Sequence, residues 1–362
     1  MIYQPGQTIK SARVQKYKHN IYLEHYLKMI RILKHTAYMV FAAILPLACS
    51  KEEVPEREQC AISFNINTSQ YTSKATFFDG NNYLIDKTKG GGDFRLNAYI
   101  NGSEEVVIDH ARVNYINSSW RFRDEMETPN NDLDDVLINY YWPFDTNLDF
   151  YAYMPMNLTN TGVTLGTYSA TTGPAFSCVL PLTKSDQMNY QEFIYAYTTD
   201  KSAKDQSGSV NLNFQHPFAC VKFMMGDSYR IKIHSVKLTN IYYQGNFSNL
   251  QWSNQGAPGT LDIEVEQFVP EDINNSLIGG PYVVLPQSFT NDDTKLILEL
   301  TRTGETTPVA PSMPLRILSE KWEPGKIYTY TLKFGDSGEE VIFDVKVEEW
   351  SVVEYKDEIY VE

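Results

Sequence analysis

The chain has 362 residues, with 31 basic and 45 acidic side chains, a net charge of −14 and 13% aromatic residues. Residues 1–48 hold seven Lys/Arg and one Glu, leaving 24 basic and 44 acidic side chains in the remainder, a net of −20. This acidity weighs against nucleic acid and anionic lipid as partners and favours solubility. The size of the remainder suggests two domains.

In chain order, the first feature is a short apolar run over 37–48, preceded by Arg31, Lys34 and His35. It closes on Leu45-Pro46-Leu47-Ala48-Cys49 and turns polar at once in Ser50-Lys51-Glu52-Glu53. A basic start, an apolar core and a small residue before the cut form a secretory signal. The run is shorter than the roughly 20 residues a spanning helix needs. The pattern reads as a bacterial lipoprotein signal cut between Ala48 and Cys49, with Cys49 lipidated and the chain anchored to a membrane rather than spanning it. Pro46 stands where such signals most often carry Leu. Met29 is the expected start, which makes residues 1–28 no part of the leader. The acidic stretch after Cys49 resembles the export tags of surface lipoproteins in Bacteroidetes-type bacteria.

Residues 49–60 are charged, contain Pro55 and read as a linker. The stretch 61–67 is the first predicted strand, with Ile62, Phe64 and Ile66 on one face and Ser63 and Asn65 on the other. Loops at Asn81-Asn82 and Gly90-Gly91-Gly92 follow. Phe94, Leu96 and Ala98 alternate in the next strand, then short separate strands are expected over 106–108, 113–116 and 120–122. The run 148–154 is a strand ended by Pro155. Residues 156–175 read as loop and 193–197 as strand. The polar stretch 201–209 marks a domain boundary, placed between residues 207 and 208.

Beyond it, Val210, Leu212 and Phe214 alternate. Ile231 and Ile233 are out of phase with Val236, Leu238 and Ile241, as a bulge would make them. Strands over 282–287 and 296–300 precede a C-terminal hairpin. Its arms carry Tyr328, Tyr330, Leu332 and Phe334, then Val341, Phe343, Val345 and Val347, around a turn at 335–338. Many short alternating strands and no long helix predict an all-β sandwich architecture. With Cys49 lipidated, Cys60, Cys178 and Cys220 remain, which leaves one bridge or free buried thiols open.

Catalytic constellations are lacking. His110, His216 and His234 have no metal-ligand spacing. His216 reads as a packed strand-end residue and His234 as solvent-facing. The glycines at 90–92 lack the Lys-Ser/Thr of a phosphate loop. Asn130-Asn131-Asp132-Leu133-Asp134-Asp135 departs from a calcium loop at its Gly position and at Tyr141. Tyr141, Trp142 and Tyr153 could stack on sugars or fill a core. No catalytic residue, metal or cofactor is expected, and the chain is read as no enzyme.

Several segments together carry a resemblance. They are Tyr140-Tyr141-Trp142-Pro143, Phe150-Tyr151-Ala152-Tyr153-Met154-Pro155, Gln191-Glu192-Phe193-Ile194-Tyr195-Ala196 and Phe214-Gln215-His216-Pro217-Phe218-Ala219-Cys220-Val221-Lys222-Phe223. Val236-Lys237-Leu238-Thr239-Asn240-Ile241 with Tyr242-Tyr243-Gln244-Gly245-Asn246-Phe247, Val284-Leu285-Pro286-Gln287 and Trp322-Glu323-Pro324-Gly325-Lys326-Ile327-Tyr328-Thr329-Tyr330 complete the set. In this order behind a lipoprotein signal, the chain resembles the fimbrillin family, the Mfa-like and FimA-type pilin lipoproteins of Bacteroidales. The resemblance implies two tandem transthyretin-like β-sandwich domains, over 61–207 and 208–362. It implies a fimbrial subunit on the outer membrane, made by proteolytic removal of the first strand and donor-strand exchange with other fimbrial subunits, or kept as a lipidated anchor. The strand to be displaced is then the one bearing Ile62, Phe64 and Ile66. Lys74, Lys87 and Lys89 after it and Arg57 before it are the candidate cuts. An alternative is a surface adhesin binding glycan or a host protein.

Overall fold

The computed structural model describes residues 60–66, 93–116, 119–123, 137–206, 208–226, 231–254, 256–269, 276–334 and 341–350. Ala48, Cys49, Arg57, Lys74, Lys87 and Lys89 lie outside these, as do the Gly90–92 and 130–135 loops and the 335–338 turn.

The alternating segments become strands. In the first half these are β1 (Ser63–Ile66), β2 (Asp93–Ile100), β3 (Val106–Ile116), β4 (Ser119–Arg123), β5 (Leu137–Ile138), β6 (Leu148–Met154), β7 (Val163–Leu165), β8 (Phe176–Val179), β9 (Ile194–Lys201) and β10 (Ser209–Leu212). Six of them form one sheet in the order β5-β4-β3-β2-β6-β9, and β1 pairs with β10 in a separate two-stranded sheet. Alternation sets the faces. Phe94, Leu96 and Ala98 of β2, Val113 of β3, Phe122 of β4 and Phe150 of β6 point into one core with Phe64, Val210 and Leu212. The segments expected as strands over 106–108 and 113–116 are one continuous β3. Its register against β2 shifts around Asn97, where Asp109 and His110 are accommodated and His110 takes φ 47°. A bulge absorbs the extra residue without ending the strand. Likewise, the expected loop 156–175 contains β7.

β6 is buried at all seven positions. Leu148, Phe150, Ala152 and Met154 serve the first core, whereas Tyr151 and Tyr153 serve a second one with Phe176, Phe193, Tyr195, Phe218 and Phe247. A strand covered on both faces needs a near-continuous apolar run, which explains the Phe-Tyr-Ala-Tyr-Met sequence. It also decides between the two sequence readings of two of the aromatics. Trp142 and Tyr153 are core residues, and Tyr141 alone is exposed.

The second half contributes β11 (Ala219–Met225), β12 (Ile231–Ile241), β13 (Gln244–Ser248), β14 (Gln251–Asn254), β15 (Gly259–Val269), β16 (Ser276–Val284), β17 (Gln287–Ser288), β18 (Lys295–Arg302), β19 (Ser312–Pro314), β20 (Lys321–Trp322), β21 (Lys326–Phe334) and β22 (Val341–Glu349). Sheets β16-β11-β21-β22 and β15-β12-β18-β19 enclose a third core, to which Val221, Phe223, Tyr330 and Leu332 come from one side and Val236, Leu238, Leu296 and Leu298 from the other. The phase slip in β12 is a register shift between Ile233 and Ser235 against both neighbours. The C-terminal hairpin forms as β21 and β22.

The halves are not merely sequential. β10, which follows residue 207, pairs back with β1. β13 and β14 pair with β8 and β7 in one sheet of order β14-β13-β8-β7. Cys178 and Cys220 are free and buried, and Cys60 is free and exposed. Burial pushes the Cys178 thiol up to about 12 and the Cys220 thiol higher.

Candidate functional site: the seat of the first strand

β1 is four residues long and runs parallel to β10, in register from Ser63 opposite Ser209 to Ile66 opposite Leu212. Among the described residues, β10 is its only strand partner. Three main-chain bonds add to this pairing. Ser63 N donates to Gly208 O at 2.8 Å, Ile62 N donates to Tyr140 O at 2.8 Å, and Trp142 N donates to Cys60 O at 2.9 Å. A short strand with this few ladder bonds is held mainly by its side chains.

Those side chains are the alternating set singled out in the sequence. Ile62 and Phe64 are buried and Ile66 is half-buried, all in the first core. The Phe64 ring meets three others edge-on, Phe122 at 5.2 Å, Phe94 at 6.2 Å and Phe150 at 6.3 Å between centroids. Edge-to-face contacts at such separations are favourable beyond the area they bury. Ile62, Phe64 and Ile66 each contribute roughly 1.5–3 kcal/mol when fully buried. Removing β1 would therefore open an aromatic socket beside an unpaired β10 edge.

The junction is specific at Gly208, a residue the sequence reading passed over. Its φ is +83°, and a Cβ there would sit 2.7 Å from Cys60 Sγ and 2.9 Å from Ala61 O. The Gly208 carbonyl also accepts from Ser63 Oγ at 3.2 Å and from Trp142 Nε1 at 3.3 Å. Only the turn-forming glycine hinted at this. The pairing of β10 with a strand about 145 residues earlier has no local signal.

The remaining singled-out residues do not converge on this seat. His216 is buried, its Nδ1 hydrogen-bonded with Glu192 and its ring stacked on Trp350 at 4.1 Å. That agrees with its reading as a packed residue. His234, expected to face solvent, is half-buried and its Nε2 lies 2.8 Å from Thr301 Oγ1 on β18. The neighbouring strand covers it. His110 is paired with Asp109 at 2.6 Å on the surface. Among the described residues no group of three or more His, Cys, Asp and Glu is placed to hold a metal ion.

A family model described as fimbrillin-like matches residues 114–350. The chain belongs to the fimbrillin-like family. Its matched span runs from β3 to the end of β22, leaving out β1. A fimbrial protein from Bacteroides vulgatus of known crystal structure is 14% identical and aligns over 80% of this chain and 99% of its own, with a TM-score of 0.52. That likeness supports the all-β fold of this fimbrillin-like chain. A Bacteroides eggerthii structure named for cell adhesion is 13% identical over 81% of this chain and 97% of its own, with a TM-score of 0.49. The tip fimbrial protein Mfa3 of Porphyromonas gingivalis is 9% identical over 71% of this chain and 94% of its own, with a TM-score of 0.39. No curated protein sequence matches the chain.

Proposed function

We propose that this fimbrillin-like protein is a non-enzymatic fimbrial subunit, exported as a lipoprotein through Cys49 to the outer membrane and assembled on the cell surface. Assembly proceeds by exchange of β1. A protease cuts beyond the strand, at Lys74, Lys87 or Lys89, and a strand from a neighbouring subunit fills the vacated seat by β-augmentation. Head-to-tail filling does not close on itself and so grows a filament. A cut at Arg57 alone would free the lipid but keep β1. An uncut chain would remain a lipidated anchor. The body of the subunit comprises two β-sandwich domains, over 61–207 and 208–362, with β10 lent back to the first.

The observation that supports this reading best is the construction of the β1 seat. The strand is short, has one strand partner among the described residues, and is fixed by Ile62, Phe64 and Ile66 in a preformed aromatic socket. A replacement strand with the same alternation regains those contacts. N-terminal sequencing of the protein taken from the cell surface tests the proposal. A start shortly after Lys74, Lys87 or Lys89 supports a stalk subunit, and a blocked, acylated Cys49 supports the anchor. Trypsin-treated protein should form ladders on gels. A treated sample that stays monomeric, with β1 gone, would refute assembly by strand exchange.

A further inference from the structure

The outer face of the six-stranded sheet carries a row that net charge alone conceals. Arg95 of β2 stands directly opposite Arg112 of β3, and Arg112 directly opposite Arg123 of β4. Arg121 shares the face, two residues along β4 and opposite Asn114. Four of the eight arginines in residues 49–362 thus meet on three adjacent strands. Neighbouring strands lie about 4.8 Å apart, so the row spans roughly 10 Å between its outer Cα atoms.

Like charges directly opposite each other destabilise a sheet, and here Arg112 has an arginine on either side. One carboxylate of the same face offsets part of this cost: Asp93 takes a forked pair from Arg112, at 2.7 and 3.1 Å. Arg95 is oriented through its Nη1, which donates to His110 O at 2.8 Å across the β3 bulge. Arg121 is exposed, and the other three are half-buried. The second core does not extend over β3 and β4. Tyr151 and Tyr153 of β6 and Tyr195 of β9 belong to it.

We infer that this row is a binding surface for an anionic glycan, one bearing sulfate or carboxylate groups on successive rings. Planar guanidinium forks match such groups in pairs. The row is one residue wide on β2 and β3, which suits a linear polyanion. Two large neighbours flank the row in register, Tyr153 opposite Arg95 and Leu137 opposite Arg123. Tyr153 is already taken up by the second core and Leu137 alone is exposed, whereas protein interfaces centre on buried apolar anchors. A stiff sugar chain also loses less freedom on docking than an acidic peptide. The acidity of the whole chain does not prevent this, because the Debye length is about 8 Å at physiological salt and distant carboxylates are screened. The inference does not rest on strand exchange.

The test is binding of the purified full chain to a heparin-derived octasaccharide, with a neutral maltooctaose and a poly-glutamate peptide as comparisons. The octasaccharide should bind, more weakly as salt rises, and maltooctaose should not. Arg121→Glu, at an exposed position, should weaken binding about tenfold or more, the loss of a charge-assisted contact plus repulsion. Arg121→Lys should weaken it by about threefold, since charge is kept and the fork is lost. Lys346→Gln, on the distant β22, should change nothing. Absence of octasaccharide binding by the wild-type chain overturns the inference. So does equal binding by Arg121→Glu, or tighter binding of poly-glutamate than of the octasaccharide.

Discussion

Truncating Phe64 isolates what holds β1 in place. The ring is buried and touches Phe94, Phe122 and Phe150 edge-on. A buried Phe→Ala change costs about 3–5 kcal/mol, less where the surroundings can close in. β1 is short and, among the described residues, bordered by one strand, so the lower end, about 3 kcal/mol, applies to Phe64→Ala. At 1.36 kcal/mol per factor of ten, this raises the population with β1 undocked by roughly two orders of magnitude. Hydrogen exchange read by mass spectrometry reports it directly, because the Ser63 amide is bonded to Gly208 O. The peptide covering residues 60–66 should lose protection by about a hundredfold, and trypsin should cut beyond the strand correspondingly faster. Protection unchanged within about threefold would refute the claim that the aromatic socket, rather than the ladder with β10, seats the strand.

Three further outcomes follow from the geometry. Gly208→Ala forces a Cβ against Cys60 Sγ and Ala61 O at a φ of +83°, so it should destabilise the chain by about 1–3 kcal/mol in urea titration; an unchanged midpoint would mean the junction relaxes freely. Leu250 sits at φ 57° beside Asn249 at φ 51° in the two-residue turn joining β13 and β14, a geometry that suits glycine. Leu250→Gly should therefore stabilise the chain by about 1 kcal/mol, read as a higher melting temperature. The third outcome concerns alkaline pH. Burial holds the folded-state pKa of Cys178 near 12, above its ordinary value of 9.0. The stability it contributes is whole below pH 9 and is lost as pH rises from there towards 12. Tyr195, also pushed up to about 12 by burial, adds to the loss above pH 10. Melting temperature should fall across this range, and less steeply in Cys178→Val; a flat profile from pH 8 to 11 in the wild-type chain would contradict it.

Period-two alternation made β1, β2, β21 and β22 legible, because more and less buried positions alternate along most of each strand. The same rule exposed the slip in β12. It says less where both faces are covered or where pairing is distant, although β6 was still legible as a strand over 148–154. β6 reads as an aromatic run, and its two-sided burial follows only once the second core is known. β7 is three residues within a polar stretch and carries too little pattern to stand out. At the site, Ile62, Phe64 and Ile66 were visible from spacing alone. Gly208 was not; the alternation of Val210 and Leu212 and the aromatic Trp142 were, but their roles beside β1 depend on contacts between residues far apart in sequence. The arginine row shows the same limit, because only register brings Arg95, Arg112 and Arg123 into line.

The ladder joining β8 to β13 ties residues before 207 to residues after it. The two halves are therefore joined by more than the covalent chain at Gly208: β10 pairs with β1, and β7, β8, β13 and β14 share a sheet. Such a subunit would resist tension as a laced body rather than as two beads on a thread. A pull that straightened the connection at Gly208 would still have to shear a run of antiparallel hydrogen bonds before the halves could part.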